Sequence, residues 1–335
     1  LAALKRIDFA NMFPQATARL NGNRETTNYG GDNFDADPEL SLTASISWEL
    51  DLWGNLRWAR DHSTAGFLAS VENCRAVKMG LVAQVAQSYF ELMALDNELA
   101  IVRRTLEARR EGVRLAEIRF KGGLTSEIVF QQAKVELAKT ATMVPDLERR
   151  ISLKESEIAL LTGDFPYAVN RNVLPEEIQL PDALPLGLPS TLLERRPDIR
   201  KAERELMAAH AEVGLAYTNM FPRLALTATL GAESETLRDL LKSPYSYLAG
   251  NLLSPLFAMG KNRAALKAKR AAYEGAVAEY EKTVLTAFKE THDAIINFNK
   301  IKDIYESRRQ LAEASRTAVE LAQLQYINGV IGYLD

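Results

Sequence analysis

The chain has 335 residues, of which 47% are hydrophobic and 25% charged, and this composition excludes an intrinsically disordered protein. Its 41 basic and 44 acidic residues give a formal net charge of −3, so it lacks the basic excess of a general nucleic-acid binder. The single cysteine, Cys74, excludes an internal disulfide framework and a cysteine-rich zinc site. No run of about 18 apolar residues is present to form a transmembrane helix.

The first predicted elements are two strands, residues 13–25 and 40–53, where apolar and polar residues alternate. The apolar residues of the second strand fall on one face: Ile46, Trp48, Leu50 and Leu52. Each strand has about the ten residues that a tilted membrane strand needs. Trp48 and Trp53 lie where the strand gives way to a helix, so they belong either to a packed core or to an interfacial aromatic girdle.

A long helix is predicted over residues 56–121, because this stretch has no proline and its apolar residues recur at helical spacing. Gly122 and Gly123 end it, and a second helix follows over residues 126–161, with Pro145 expected to kink it. About 65 helical residues span roughly 100 Å, whereas a compact domain of this size has a radius of gyration of about 20 Å. The sequence therefore predicts a rod, a coiled coil or a tube of helices.

The second half of the chain shows the same order of predicted elements. A helix over residues 190–219 precedes strands over 221–231 and 247–257, and another long helix covers 262–327. These lengths are typical of the same membrane strands and extended helices as in the first half.

Repeated sequence patterns indicate that the two halves are copies of one unit. Asn-Met-Phe-Pro stands before the first strand of each half, and an offset of 206 relates Gly123 to Gly329. We therefore predict an internal two-fold repeat, with a first copy at residues 1–163, a linker at 164–189, and a second copy at 190–335. Both copies are expected to be truncated at the chain ends.

Catalytic chemistry is not indicated anywhere in the sequence. No nucleophile motif is present, and His62 and His292 lie in the long helices without metal-ligand spacing, so a packed or solvated side chain is the simpler interpretation of each. We expect no cofactor, no metal and no enzymatic activity.

One segment resembles a known family. The run Leu184-Pro-Leu-Gly-Leu-Pro-Ser-Thr-Leu-Leu-Glu-Arg-Arg-Pro-Asp-Ile199 is similar to the signature between the halves of TolC-family outer-membrane efflux channels. The similarity is strongest to the lipoprotein-type, NodT-like branch that works with resistance-nodulation-division pumps. Further matches are Trp48–Gly54 and Tyr326–Leu334, and the resemblance covers essentially the whole chain.

The resemblance implies a mainly helical protein with a transmembrane β part. Long antiparallel helices would form a helical barrel, and each protomer of a homotrimer would give four strands to one 12-stranded β-barrel in the outer-membrane lipid. A periplasmic adaptor and an inner-membrane resistance-nodulation-division pump would be the partners, without nucleic acid. The protein would sit in the outer membrane and extend into the periplasm, with an N-terminal lipid anchor on a residue outside this chain.

Three sets of functional residues follow from the residues and the resemblance together. Two glycine-containing tips would dock the adaptor: Gly122, Gly123, Leu124, Thr125 and Ser126, then Asn328, Gly329, Val330, Ile331 and Gly332. A periplasmic gate would comprise Leu334 as an apolar constriction with Tyr333 and Asp335 beside it. The lipid-facing or girdle residues would be Ile46, Trp48, Leu50, Leu52 and Trp53.

The function that these features favour is a passive export duct. Four strands cannot close a barrel, and backbone polar groups in lipid need closure, so oligomerisation follows from the strand count. The alternative is a periplasmic adaptor-like coiled-coil binding protein, and the duplicated unit of two strands and a long helix speaks against it. A purely structural rod is disfavoured by the alternating strands. The sequence does not distinguish whether the exported compounds are drugs, metal ions or other molecules.

Overall fold

The computed structural model describes residues 1–27, 35–171, 193–255, 259–328 and 330–331. The chain forms two compact units, Leu1–Ala76 with Gly187–Lys289 and Val77–Leu186 with Glu290–Asp335. Each unit combines segments from both halves of the sequence. The two-fold repeat and its boundaries stay predictions.

The architecture is mainly helical with a four-stranded sheet, as predicted. In chain order the elements are α1 (Ala2–Ala10), β1 (Gln15–Thr27), β2 (Asp35–Leu50), α2 (Asn55–Lys121), α3 (Glu127–Thr162), α4 (Pro197–Thr218), β3 (Arg223–Ser234), β4 (Pro244–Leu253) and α5 (Lys261–Ile327). A single 3-10 turn, Leu240–Lys242, lies between β3 and β4.

The sheet of the first unit is antiparallel throughout, in the order β1-β2-β3-β4. Its register places Ala18 opposite Ala44, and Ala44 opposite Leu230 on the next strand. Because side chains alternate between the two faces of a strand, this register puts every even-numbered residue of the paired stretches on one face of the sheet.

The second strand ends at Leu50, three residues before the predicted end. The Asp51 carboxylate accepts the backbone N–H groups of Leu56 and Arg57, both at 3.0 Å, so the chain is already capping α2 at that point. Gly54 then adopts a φ of +82°, a left-handed conformation that lets the backbone turn into the helix.

Hydrogen bonds tie the helix ends of the first unit to the strands. The indole Nε1 of Trp53 donates to the carbonyl of Pro222 at 2.8 Å, and its ring stacks on Phe221 with centroids 4.9 Å apart. Asn55 donates through Nδ2 to Thr218 Oγ1 at 2.8 Å and to Asn219 Oδ1 at 3.1 Å. These bonds fix the start of α2 against the junction between α4 and β3.

The core of the second unit lies between α2 and α3. Ser88 on α2 bonds Glu157 on α3, and Arg103 bonds Glu148, so the two helices run antiparallel. The buried apolar residues recur at intervals of three, four and seven, the spacing of a coiled-coil seam: Leu92, Leu95, Val102, Leu147, Ile151 and Ile158, joined by Val169 from the segment after α3. Helix α3 continues from Glu127 to Thr162 through Pro145.

Helix α4 begins at Pro197, and residues 193–195 of the predicted helix form a short helical turn before it. Arg196 is its N-cap in an extended conformation, and Pro197 occupies the first turn, where its missing N–H has no intrahelical acceptor to lose. Residues 190–192 of the predicted helix lie outside the described residues.

Candidate functional site

The sheet of the first unit has one apolar and one polar face. On β2 and β3, residues such as Ile46, Trp48, Leu226 and Leu230 share the apolar face and are exposed, with 53% of Ile46 accessible. The other face carries half-buried hydroxyl side chains, and Ser45 Oγ lies 2.9 Å from Thr229 Oγ1. An exposed apolar face backed by a polar face is the pattern of a barrel wall between lipid and water.

The five predicted lipid-facing or girdle residues fall in two groups. Ile46, Trp48 and Leu50 lie on the apolar face of β2, with Leu50 half-buried. Leu52 and Trp53 are exposed but follow the end of the strand. Trp48 is also anchored, since its Nε1 donates to the carbonyl of Met12 at 3.0 Å. Lipid contact of these residues stays a prediction.

The first predicted tip is a tight turn between α2 and α3. Leu124 N donates to Arg119 O at 2.9 Å and Gly123 N to Phe120 O at 3.0 Å, with Gly123 at a φ of +72°. This pair of bonds is the Schellman arrangement, which needs a left-handed residue. Leu124 follows with 74% of its surface exposed. The N-cap of α3 is Ser126, without a side-chain capping bond.

The second predicted tip follows α5. Val330 N donates to Gln325 O at 2.9 Å, the same bond that Leu124 makes 206 residues earlier, and Asn328 Nδ2 donates to Leu324 O at 2.8 Å. Gly329 and Gly332 of this tip lie outside the described residues. So do Tyr333, Leu334 and Asp335, and the gate therefore stays a prediction.

An arginine that the sequence reasoning did not single out joins the ends of α2 and α5. Arg119 Nη1 donates to the carbonyl of Tyr326 at 2.7 Å, and its guanidinium carbon lies 4.8 Å from the centroid of the Tyr326 ring. Both residues lie within one turn of a predicted tip. At the same helix end, a hydrogen bond from Lys121 lowers the pKa of Glu117.

The described end of the signature segment and Arg200, the residue after it, contact two other helices within the first unit. Arg200 on α4 pairs with the buried Glu72 of α2 at 3.1 Å, and Arg196 reaches the carbonyl of Ala287 on α5 at 3.3 Å. Arg196 also pairs with Asp198 at 2.7 Å and lowers the pKa of that carboxyl. The start of α4 is therefore held on one side by α2 and on the other by α5. The sequence motif alone gave no sign of these partners.

The amino-acid sequence matches a known protein family over most of its length. The sequence profile of the outer membrane efflux proteins matches residues 3–164 and 188–335. The chain belongs to the outer membrane efflux protein family. It is therefore a channel protein of the outer membrane that serves efflux, and the periplasmic adaptor alternative has no support. In the described part of the chain, no helix combines the length and apolarity needed to cross a membrane.

Several relatives of this efflux protein are similar over nearly its whole length. Outer membrane protein OprJ of Pseudomonas aeruginosa is 33% identical, over 98% of this chain and 71% of the relative. The toluene efflux pump outer membrane protein TtgI of Pseudomonas putida is 31% identical, over 99% of this chain and 72% of the relative. A crystal structure of a membrane protein from Pseudomonas aeruginosa superposes with a TM-score of 0.93 at 31% identity, covering 99% of this chain and 79% of that one.

The first tip of this efflux protein offers a local test. Gly123→Ala places a side chain on a left-handed residue, which costs about 1–2 kcal/mol. Hydrogen exchange of the amides that close the turn is expected to be faster by a factor of about five or more, measured by mass spectrometry on the full-length protein. Gly80→Ala is the control, because Gly80 lies within α2 with nothing within 4 Å of an added Cβ. Equal exchange of the turn in both variants would contradict the predicted dependence on Gly123.

Proposed function

We propose that this protein forms, as a homotrimer, the outer-membrane duct of a tripartite efflux system. The observation that carries the proposal is the two-faced sheet: four strands with an apolar and a polar face suit a share of a larger barrel. The apolar faces would meet lipid and the polar faces would line the water-filled lumen. The family membership supports this assignment.

The partners that we propose are a periplasmic adaptor and an inner-membrane pump of the resistance-nodulation-division type. The tips at residues 122–126 and 328–332 would dock the adaptor. The exposed Leu124 and the hydrogen-bonded turn around Gly123 support this role at the first tip, because a rigid turn presents its side chains in one geometry. The link from Arg119 to Tyr326 would let both tips respond to one docking event.

Purification and conductance of the full-length protein test the duct. A detergent-solubilised trimer that conducts ions in a planar bilayer is the expected result, together with higher cellular accumulation of exported compounds after gene deletion. A monomer that carries no current would contradict the proposal.

The gate is tested by the same recordings. Three copies of Leu334 would form a narrow apolar ring that restricts the passage of water and ions, so that the resting trimer conducts weakly, with Tyr333 and Asp335 beside the ring. Leu334→Ser should raise the resting conductance of the trimer, whereas Leu160→Ser, at an exposed position on α3, should leave it unchanged. A Leu334→Ser channel as closed as the parent would show that the constriction lies elsewhere.

A further inference from the structure

A cleft of about 620 Å³ lies in the first unit, between α4, α5 and the ends of β3 and β4. Its apolar walls include Leu215 from α4, Phe221 just before β3, and Leu253 from β4. Its charged side chains come from three elements: Glu212 on α4, Arg223 on β3, and Lys261 and Lys269 on α5. An apolar cleft with a few convergent polar groups is the usual form of a small-molecule site.

The charges in the cleft do not balance. Lys269 Nζ pairs with Glu212 Oε2 at 2.8 Å, so these two neutralise each other. Arg223 donates through Nη2 to the neutral Asn219 Oδ1 at 2.6 Å, and Lys261 makes no ion pair with any described residue. Arg223 and Lys261 therefore line the cleft without an ion pair to any carboxylate of the described residues.

The register of the sheet places the cleft on the polar side. Arg223 lies opposite Leu253. Arg223 precedes Thr227 by four residues and Leu253 follows Ala249 by four, so both lie on the face that bears Ser45 and Thr229. In the proposed duct this is the face toward the lumen, and this step rests on the proposed function.

We propose that the cleft binds the anionic group of amphiphilic organic anions that pass through the duct. A carboxylate or sulfonate would accept charge-assisted hydrogen bonds from Arg223 and Lys261, which are stronger than neutral ones. The hydrocarbon part of the same molecule would lie against Phe221 and Leu253, which are apolar and accessible. The chemistry of the cleft thus selects molecules that carry both features.

Block of the channel current by taurocholate, an amphiphilic sulfonate, tests this proposal on the full-length trimer. The half-blocking concentration is expected to rise about tenfold or more in Arg223→Gln/Lys261→Gln, because two charged donors are lost. Arg263→Gln/Lys267→Gln removes the same charge from exposed α5 positions outside the cleft, and its block should match the parent. Leu253→Ser should also weaken block by taurocholate, because it removes apolar surface from the cleft.

The outcomes distinguish failure of the proposed anion site from failure of the proposed duct. Equal block in the two double variants, or a conducting parent that taurocholate does not block, overturns the anion site alone. A parent without channel current overturns the duct and the site together. If Arg223→Gln prevents assembly, Lys261→Gln alone repeats the comparison, since the Lys261 side chain is exposed and makes no hydrogen bond or ion pair with a described residue. Unchanged block in that variant also overturns the site.

Discussion

Ile46→Arg is expected to abolish most of the assembled trimer. Ile46 lies on the exposed apolar face of β2, an inner strand of the sheet, opposite Ala16 on β1 and Ala228 on β3. In the proposed barrel this face meets lipid, where an arginine near the midplane costs about 2–4 kcal/mol in each of the three copies. Size-exclusion chromatography of the detergent-extracted full-length protein measures the surviving trimer.

Ser47→Arg is the matched control, because it introduces the same side chain one residue later on the opposite face. That face already carries Arg19, which is opposite Thr43 in the register. We therefore expect trimer yield close to that of the parent. Similar losses in both variants, or in neither, would show that the apolar face of the sheet does not meet lipid.

Leu92→Ala should be the most damaging of the conservative substitutions in the second unit. Leu92 is completely buried in the seam between α2 and α3, close to Leu147, which is also buried. Truncating such a leucine costs about 2–5 kcal/mol, since it removes apolar contacts and leaves a cavity. The melting temperature of the full-length protein, followed by circular dichroism, should fall by several degrees.

Leu160→Ala is the matched control, because it makes the same change of helix propensity at an exposed position and removes no buried contacts. Leu160 lies on α3 in the same unit with 77% of its surface exposed, so Leu160→Ala should change the stability by no more than about 0.5 kcal/mol. Equal melting temperatures for the two variants would contradict the assignment of Leu92 to the core.

The sequence was most informative where a pattern repeats over many residues. The period of the apolar residues in α2 and the alternation around Ile46 are local consequences of helix and strand geometry, so they could be recognised without a structure. Ends of elements were less predictable. Whether β2 stops at Leu50 depends on the carboxylate of Asp51 turning toward α2, and alternation contains no signal for that choice.

Contacts between distant segments could not be predicted from this one sequence. Arg119 and Tyr326 are 207 residues apart in the sequence. Arg196 is 91 residues from its partner Ala287, and Arg200 finds Glu72 on a different helix only after folding. The cleft beside Arg223 likewise exists only because β3, α4 and α5 meet there. A charged residue in a sequence shows neither its partner nor the shape of the space around it.

The order of the strands has a consequence for how the protein reaches its membrane. β1 and β4 form the two edges of the described sheet, and each pairs with a single neighbour there. Before assembly, these edges would present rows of free N–H and C=O groups, which can pair with any exposed strand and start aggregation. In the proposed duct, both edges would therefore have to be kept from other strands until the copies pair with one another. In the proposed homotrimer, one defective copy would leave two of the three interfaces between copies unpaired and would inactivate the two intact copies as well. A defective allele should therefore be harmful even when an intact allele is present.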